Sequence, residues 1–298
     1  MSTTITRTIA TSSRPSLSPS RLRQRVGRAL LYIFISALAV ALLVPLFWLV
    51  ASSLKEGSHI FDQPIEWFPA NPQWKNYPDA WSALPFTRFL FNTLFVTLLP
   101  VIAEIFMSAI VAYGFSRFDF PGRNFLFIVM LSTMFMPAIV SLLPTFLIWK
   151  QFNLINTYDP LVIPAIFGGT PLFIFLMRQF FMGVPKELEE AATIDGANIA
   201  QTFTRIMLPL IRPALLAASI ISFQGHWNDF FGPLIYLNTQ AKYTLTVGMY
   251  FFEGGVNEQP HWEWLMAMST LMLLPILLLF IFFQRYFIEG LTAGGVKG

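Results

Sequence analysis

Residues 186–213 read Lys-Glu-Leu-Glu-Glu-Ala-Ala-Thr-Ile-Asp-Gly-Ala-Asn-Ile-Ala-Gln-Thr-Phe-Thr-Arg-Ile-Met-Leu-Pro-Leu-Ile-Arg-Pro, a polar, helix-forming segment between two long apolar runs. Lys186 to Ala192 reads as a short helix, with Pro185 as an acceptable first-turn residue. Glu187, Glu189 and Glu190 stand in its first turns, where the helix dipole favours acids. Ala191 and Ala192 are small enough for another surface to approach the backbone. Gly196 can take the left-handed conformation that ends or bends a helix. Ala197 to Met207 then reads as helix again, with Phe203 and Ile206 sharing a face at i, i+3. Pro209 and Pro213 open the next apolar run, so the object is a helix, a glycine turn and a second helix.

The solvent around this segment follows from composition. Of 298 residues, 55% are hydrophobic, 12% are charged and 32 are Phe. Soluble domains carry about a quarter charged residues. With a mean hydropathy of +0.60, lipid is the expected medium. The absence of Cys excludes disulfides, thiol nucleophiles and thiolate metal sites. His59, His226 and His261 are far apart and lack ligand spacing. No paired acids or nucleophile–base arrangement points to an enzyme.

Residues 1–28 are rich in Ser, Thr and Pro, carry Arg7, Arg14, Arg21, Arg23, Arg25 and Arg28, and contain no acid. Such a stretch buries too little apolar surface to offset its ordering entropy and reads as a disordered tail. A cleaved signal peptide fits less well, because the next apolar run is long enough to span and no clear small-residue cleavage site precedes it. Beyond the tail, runs of roughly twenty apolar residues place six spans. They lie near 29–53, 88–116, 124–150, 159–182, 209–234 and 264–288. The first, third and last are clean apolar runs. The second contains Pro100 and Glu104. The fourth contains Pro164, Gly168, Gly169 and Pro171 and is expected to be kinked or locally unwound.

Basic residues set the orientation. With the N-terminus cytoplasmic, the inner side holds the arginine-rich tail, Arg117, Arg123, Arg178, Lys186, Arg205, Arg212, Arg285 and Lys297. The outer side holds only Lys55, Lys75, Arg88, Lys150 and Lys242. Positive residues favour the cytoplasm, so both termini and the segment 183–208 are expected inside. The outer loops near 54–87 and 235–263 carry Trp67, Trp74, Trp81, Trp262 and Trp264. These form an interfacial aromatic belt, a docking surface for an external protein or sugar, or both. By itself the 183–208 segment is either an amphipathic helix resting on headgroups or a grip for something outside the lipid.

The whole pattern resembles the EAA loop of binding-protein-dependent ABC importer permeases. It carries Glu190, Ala191, Ala192, Asp195, Gly196, Ala197, Phe203, Ile206, Leu208, Pro209 and Pro213 at the usual spacing, before the next-to-last span. The ending Gly290-Leu291-Thr292-Ala293-Gly294-Gly295-Val296-Lys297-Gly298 is similar to that of carbohydrate-uptake permeases of the MalG type. So are Trp227-Asn228-Asp229-Phe230 with Pro233-Leu234, and Tyr113-Gly114-Phe115-Ser116-Arg117 with Phe120-Pro121-Gly122. Gly114 departs slightly, since the family commonly has Ala after the Tyr. The resemblance runs from the first span to the last residue.

What it implies is an all-α integral membrane protein, six transmembrane helices in a MetI-like ABC importer permease bundle, with a short cytoplasmic tail over 289–298. Implied partners are a second similar permease subunit, two ATPase subunits below, an extracytoplasmic solute-binding protein above, and a sugar. No nucleic acid is expected. ATP and Mg would be bound by the ATPase, with no cofactor in this chain, which lacks the Gly-x-x-x-x-Gly-Lys-Ser/Thr phosphate loop. The setting would be the plasma membrane of a prokaryote. Glu190 and Gly196 would be central to coupling, with Ala191, Ala192, Asp195 and Ala197 around them. The outer loop near 238–262 would reach toward the binding protein.

Polar residues inside the spans are the remaining candidates. Glu104 is costly in lipid and is expected to line the path, to pair with a partner-subunit residue, or to stand protonated and silent. Gln224, His226, Asn228 and Asp229 sit near Trp227, the mixture of amides, carboxylate and flat ring that sugars bind. Helix-to-helix hydrogen bonding is the competing role. Asn92 and Gln179 read as packing residues. An ion-coupled secondary carrier using Glu104 is the alternative function, although no internal repeat of the kind such carriers show is evident.

Overall fold

A computed structural model of the protein describes residues 19–57, 60–61, 64–253 and 261–293. The start of the basic tail, His59, residues 254–260 of the outer loop and Gly294 to Gly298 lie outside them. The chain divides into two compact units, Met1–Leu49 and Val50–Gly298. The first is described by helix α1 (Pro19–Ser53), which runs on past its boundary. This helix begins earlier than the span near 29–53: Arg, Leu and Gln over 21–25 are good helix formers and carry the helix back from the apolar run into the basic tail.

In the second unit the described residues are helical, without strands. The helices are α2 (Asn76–Ala83), α3 (Phe86–Arg117), α4 (Arg123–Ser132), α5 (Ala138–Gln151), α6 (Asp159–Ile166) and α7 (Pro171–Gly183). They continue with α8 (Glu187–Ile194), α9 (Ile199–Thr202), α10 (Leu208–Leu210), α11 (Arg212–Trp227), α12 (Phe231–Tyr236), α13 (Leu245–Glu253) and α14 (Trp262–Ala293). Among the described residues four helical stretches are long and apolar enough to cross a membrane, or up to six if each of two bent helix pairs is one span. The protein is therefore a multi-pass membrane protein, with spans close to the six placed from sequence.

One span differs from the expected shape, and another ends early. The third is bent by 100° between Arg123–Phe135 and Ile139–Gln151 rather than continuous. Pro137 explains the break: it drives Met136 out of the helical region, to φ −77 and ψ 118. The fifth is broken, as its prolines lead one to expect, with a bend of 78° between Ile199–Leu210 and Arg212–Trp227. Pro213 opens the second half, and the helix stops at Trp227, short of residue 234. The fourth is interrupted where Gly168 and Gly169 sit, between α6 and α7.

Helix α3 is the centre of the unit and packs chiefly against α7, α11 and α6. Its buried residues include Thr93, Thr97, Val101, Glu104, Ser108, Ala109 and Ala112, an inward stripe at helical spacing. Its large side chains Phe91, Phe95, Ile102 and Phe106 point outward and are exposed. Without a hydrophobic force between helices in lipid, small inward residues let backbones approach closely. One core cluster gathers Ile105, Ala109, Tyr113, Met177, Phe181, Phe203, Met207 and Ile211. A second gathers Phe86, Phe89, Trp227, Leu245 and Met268. Asn92 donates to the carbonyls of Ala241 and Tyr243, pinning the segment ahead of α13 to α3.

Candidate functional site

Two regions carry the candidate residues. The first is the elbow α8, Gly196, α9. Three acids in the first turn of α8 complement its dipole. Gly196 closes the helix at φ +83, in the left-handed region expected from sequence. The next helix opens with a capping box: Asn198 accepts from the Gln201 backbone N–H, and the Gln201 side chain accepts from Asn198 N–H, both at 2.9 Å. A π-helical turn over Phe203–Met207 follows. Phe203 and Met207 are buried, whereas Ile206 is only half-buried, because the wider turn brings i and i+4 rather than i and i+3 inward. Phe203 packs at 5.1 Å from the Tyr113 ring and 6.4 Å from the Phe181 ring, anchoring the elbow in the core.

The elbow has two faces. Ala192 is buried and Ala197 half-buried, while Glu190, Ala191, Asp195 and Gly196 are exposed. Three apolar side chains share the exposure: Leu188, Ile194 at 86% and Ile199. A face mixing acids, small residues and unpaired aliphatics suits a protein surface better than water. The inward face is fixed by charge. Arg117, the last residue of α3, places Nε 2.5 Å from Glu189 Oε1. Its Nη2 donates to the Val184 carbonyl at 2.7 Å. Tyr113 donates its hydroxyl proton to Glu189 Oε2 at 3.1 Å.

The second region is a cavity of about 290 Å³ beside the broken fourth span. Glu104, Gly169, Thr170, His226, Asp229 and Tyr236 are among its lining residues. Glu104 is 8% exposed and fully engaged. Thr170 donates to one carboxylate oxygen, and Ser222 donates to the other at 2.5 Å. His226 Nε2 lies 3.4 Å from Glu104 Oε2. Asp229 accepts from the Gly232 N–H at 3.1 Å. One acid thus joins α3, the interruption of the fourth span and α11.

The candidates from α11 separate by face. His226 and Asp229 turn to this cavity with Glu104. Gln224 and Asn228 are exposed, and Asn228 lines a different, more apolar depression with Thr246, Tyr250 and Ser269. Trp227 is 2% exposed. Its ring stacks on Phe223 at 5.4 Å, and its N–H donates to the Met272 carbonyl at 3.1 Å. Its indole is therefore spent on helix packing here. Thr170 and Ser222 were not singled out from sequence. The signal for Ser222 was present: it precedes His226 by one helical turn on the face that meets α3. Among the described residues no group of three His, Cys, Asp or Glu side chains could hold a metal.

Residues 104–292 match the family described as "Binding-protein-dependent transport system inner membrane component". The chain is 33% identical to the "Probable ABC transporter permease protein YurM" of Bacillus subtilis over 93% of its own length and 91% of that protein's. It is 33% identical to the "Arabinooligosaccharides transport system permease protein AraQ" of the same species, over 92% and 97%. It is 31% identical to the "Trehalose/maltose transport system permease protein MalG" of Thermococcus litoralis, over 91% and 97%. In fold it matches a solved bacterial ABC transporter "involved in the import of the acidic polysaccharide alginate". That match has a TM-score of 0.80 and 23% identity, covering 92% of this chain and 100% of the other. The chain belongs to the family of binding-protein-dependent transport system inner membrane components. Within it, the resemblance to carbohydrate-uptake ABC permeases read from the sequence stands.

Proposed function

We propose that this chain is one membrane half of an ATP-driven carbohydrate importer. A second permease subunit completes the pathway, two ATPase chains bind from the cytoplasm, and a solute-binding protein delivers a sugar from outside. Both termini and the elbow are cytoplasmic. The observation that carries the reading is the elbow: an exposed helix–glycine–helix turn, rooted through Phe203 and Met207 in the core, presenting Glu190, Ala191, Asp195 and Ile194 away from it. Relatives named for arabinooligosaccharides and for trehalose and maltose support a sugar as cargo. A second solved structure of similar fold, a bacterial alginate ABC transporter in complex with an alginate pentasaccharide-bound periplasmic protein, supports the external partner.

Energy enters through the partner. ATPase closure displaces the elbow, which turns the bundle against its companion and alternates access to the pathway. Glu104, His226 and Asp229 contribute polar groups to that pathway, where hydroxyl-rich cargo exchanges water for oriented side chains. This reading is preferred to the ion-coupled carrier because the chain belongs to the binding-protein-dependent family, with Glu104 joining helices through Thr170, Ser222 and His226.

The test is affinity capture of the tagged chain with its candidate ATPase. Wild type should bring the ATPase down, and Ile194→Asp, at a position 86% exposed, should cut recovery at least about tenfold while leaving the permease's own melting temperature unchanged. Solute uptake by this chain alone in liposomes, driven by an ion gradient, would refute the proposal.

A further inference from the structure

Glu189 and Glu190 are neighbours with opposite surroundings. Glu190 is exposed on the elbow's free face, whereas the Glu189 side chain is 19% exposed and gripped from α3. The grip comes from Tyr113 and Arg117, one helical turn apart, which take one carboxylate oxygen each. The Arg117 side chain is 7% exposed, and it also ties down the Val184 carbonyl just beyond α7. One guanidinium therefore joins the end of α3, the end of α7 and the elbow. Low surrounding dielectric makes such a buried pair stiff compared with a solvated one.

A second attachment of α3 relevant to the cavity lies thirteen positions back, at Glu104, roughly 20 Å along the helix axis at 1.5 Å per residue. There the helix holds Thr170, at the interruption of the fourth span, and Ser222 of α11. Ser108 adds a bond from the Thr170 N–H at 3.1 Å. One continuous helix is thus fastened to the elbow at one end and to the lining of the cavity further along.

We propose that Arg117 and Glu189 are the joint that transmits elbow displacement to α3, acting as positioning residues for coupling rather than for ATPase docking. The inference rests on the importer reading above and adds to it which intramolecular contact carries the motion.

The test uses the complete transporter, permease pair, ATPase and binding protein, reconstituted in proteoliposomes. It reads sugar imported per ATP hydrolysed. Arg117→Gln and Glu189→Gln should retain the ATPase on affinity capture and lower the import-to-hydrolysis ratio at least about fivefold. Arg117→Lys, which keeps the charge, should retain most of it. The chain has no Cys, so Arg117→Cys with Glu189→Cys gives a pair unique within it, to be bridged in the purified chain before assembly with the other subunits. Bridging that pair with a short bis-maleimide should restore the ratio that the unbridged double variant loses.

The proposal is overturned if the Gln variants release the ATPase, which would make the pair part of docking. It is overturned equally if they leave the ratio unchanged, or if the bridged pair stays uncoupled. Failure of the wild type to bind any ATPase would instead remove the importer reading, and this proposal with it.

Discussion

Gly169→Ala puts the interruption of the fourth span to a stringent test. A Cβ added there would lie 2.3 Å from Ser108 Oγ, 2.7 Å from Ser108 N and 2.8 Å from Ser108 Cα. Comfortable carbon contacts begin near ~3.5 Å, so the segment must retreat from α3 by about 1 Å. That retreat removes the bond from Thr170 N–H to Ser108 and the one from the Thr170 hydroxyl to Glu104. A neutral hydrogen bond contributes about 1 kcal/mol and one to a charged group about 1.5–3 kcal/mol. The backbone at φ +69 adds about 1–2 kcal/mol for any residue with a Cβ. The expected loss is about 4 kcal/mol, at the edge of what single substitutions do.

Thermal unfolding of the detergent-purified chain, followed by fluorescence of its 8 Trp residues, reads this directly. At about 2 °C or more per kcal/mol for a chain of this size, Gly169→Ala should melt at least about 8 °C below wild type. Two comparisons isolate the cause. Gly114→Ala, within α3 and with nothing within 4 Å of the new Cβ, should melt no lower than wild type. Adding Ser108→Ala to Gly169→Ala should not rescue it, because the backbone N and Cα remain in the way. A Gly169→Ala protein melting within about 2 °C of wild type would refute the docking of this segment on α3.

Asn156, at φ +61, accepts from the Asn238 and Thr239 N–H groups and donates to the Thr239 hydroxyl. Asn156→Ala should therefore cost about 2–3 kcal/mol and expose residues 237–243 to limited proteolysis, with Asn156→Gly relieving strain but not restoring the bonds. Thr93→Val strips the buried acceptor of the Leu245 N–H, a 2.8 Å bond, and should cost about 1–3 kcal/mol in melting experiments, whereas Thr93→Ser stays close to wild type. Trp227→Phe loses the bond to the Met272 carbonyl and leaves a gap where the buried second ring packed, so it should lower stability by about 2–3 kcal/mol while sugar uptake persists. Abolished uptake at unchanged stability would instead show the indole meeting cargo.

The elbow was legible in the sequence because its signals are local. Acids in a first turn, a glycine at a left-handed position and the two-helix spacing each act within a few residues, and Gly196 has the conformation its neighbours call for. The spans were legible because bilayer thickness demands long apolar runs. The break at Pro137 was not, since hydropathy averages over Thr133 to Pro137 while the backbone responds to one residue, and Pro144 sits inside α5 without ending it. Glu104 was flagged by its charge, but its partners Thr170 and Ser222 lie 66 and 118 residues away, beyond any periodic pattern. The same holds for Glu189, indistinguishable from Glu190 until α3 is laid beside it.

The inward stripe of α3 reverses ordinary expectations about mutational tolerance. Trimming Ile102 or Phe106 changes chiefly what meets the surroundings, since both side chains are exposed, whereas enlarging Ala109 or Ala112, each 0% exposed, wedges neighbouring helices apart. Engineers hunting for sturdier variants should leave those alanines untouched and spend their diversity on the outward side chains, where bulk is a matter of lubrication rather than architecture.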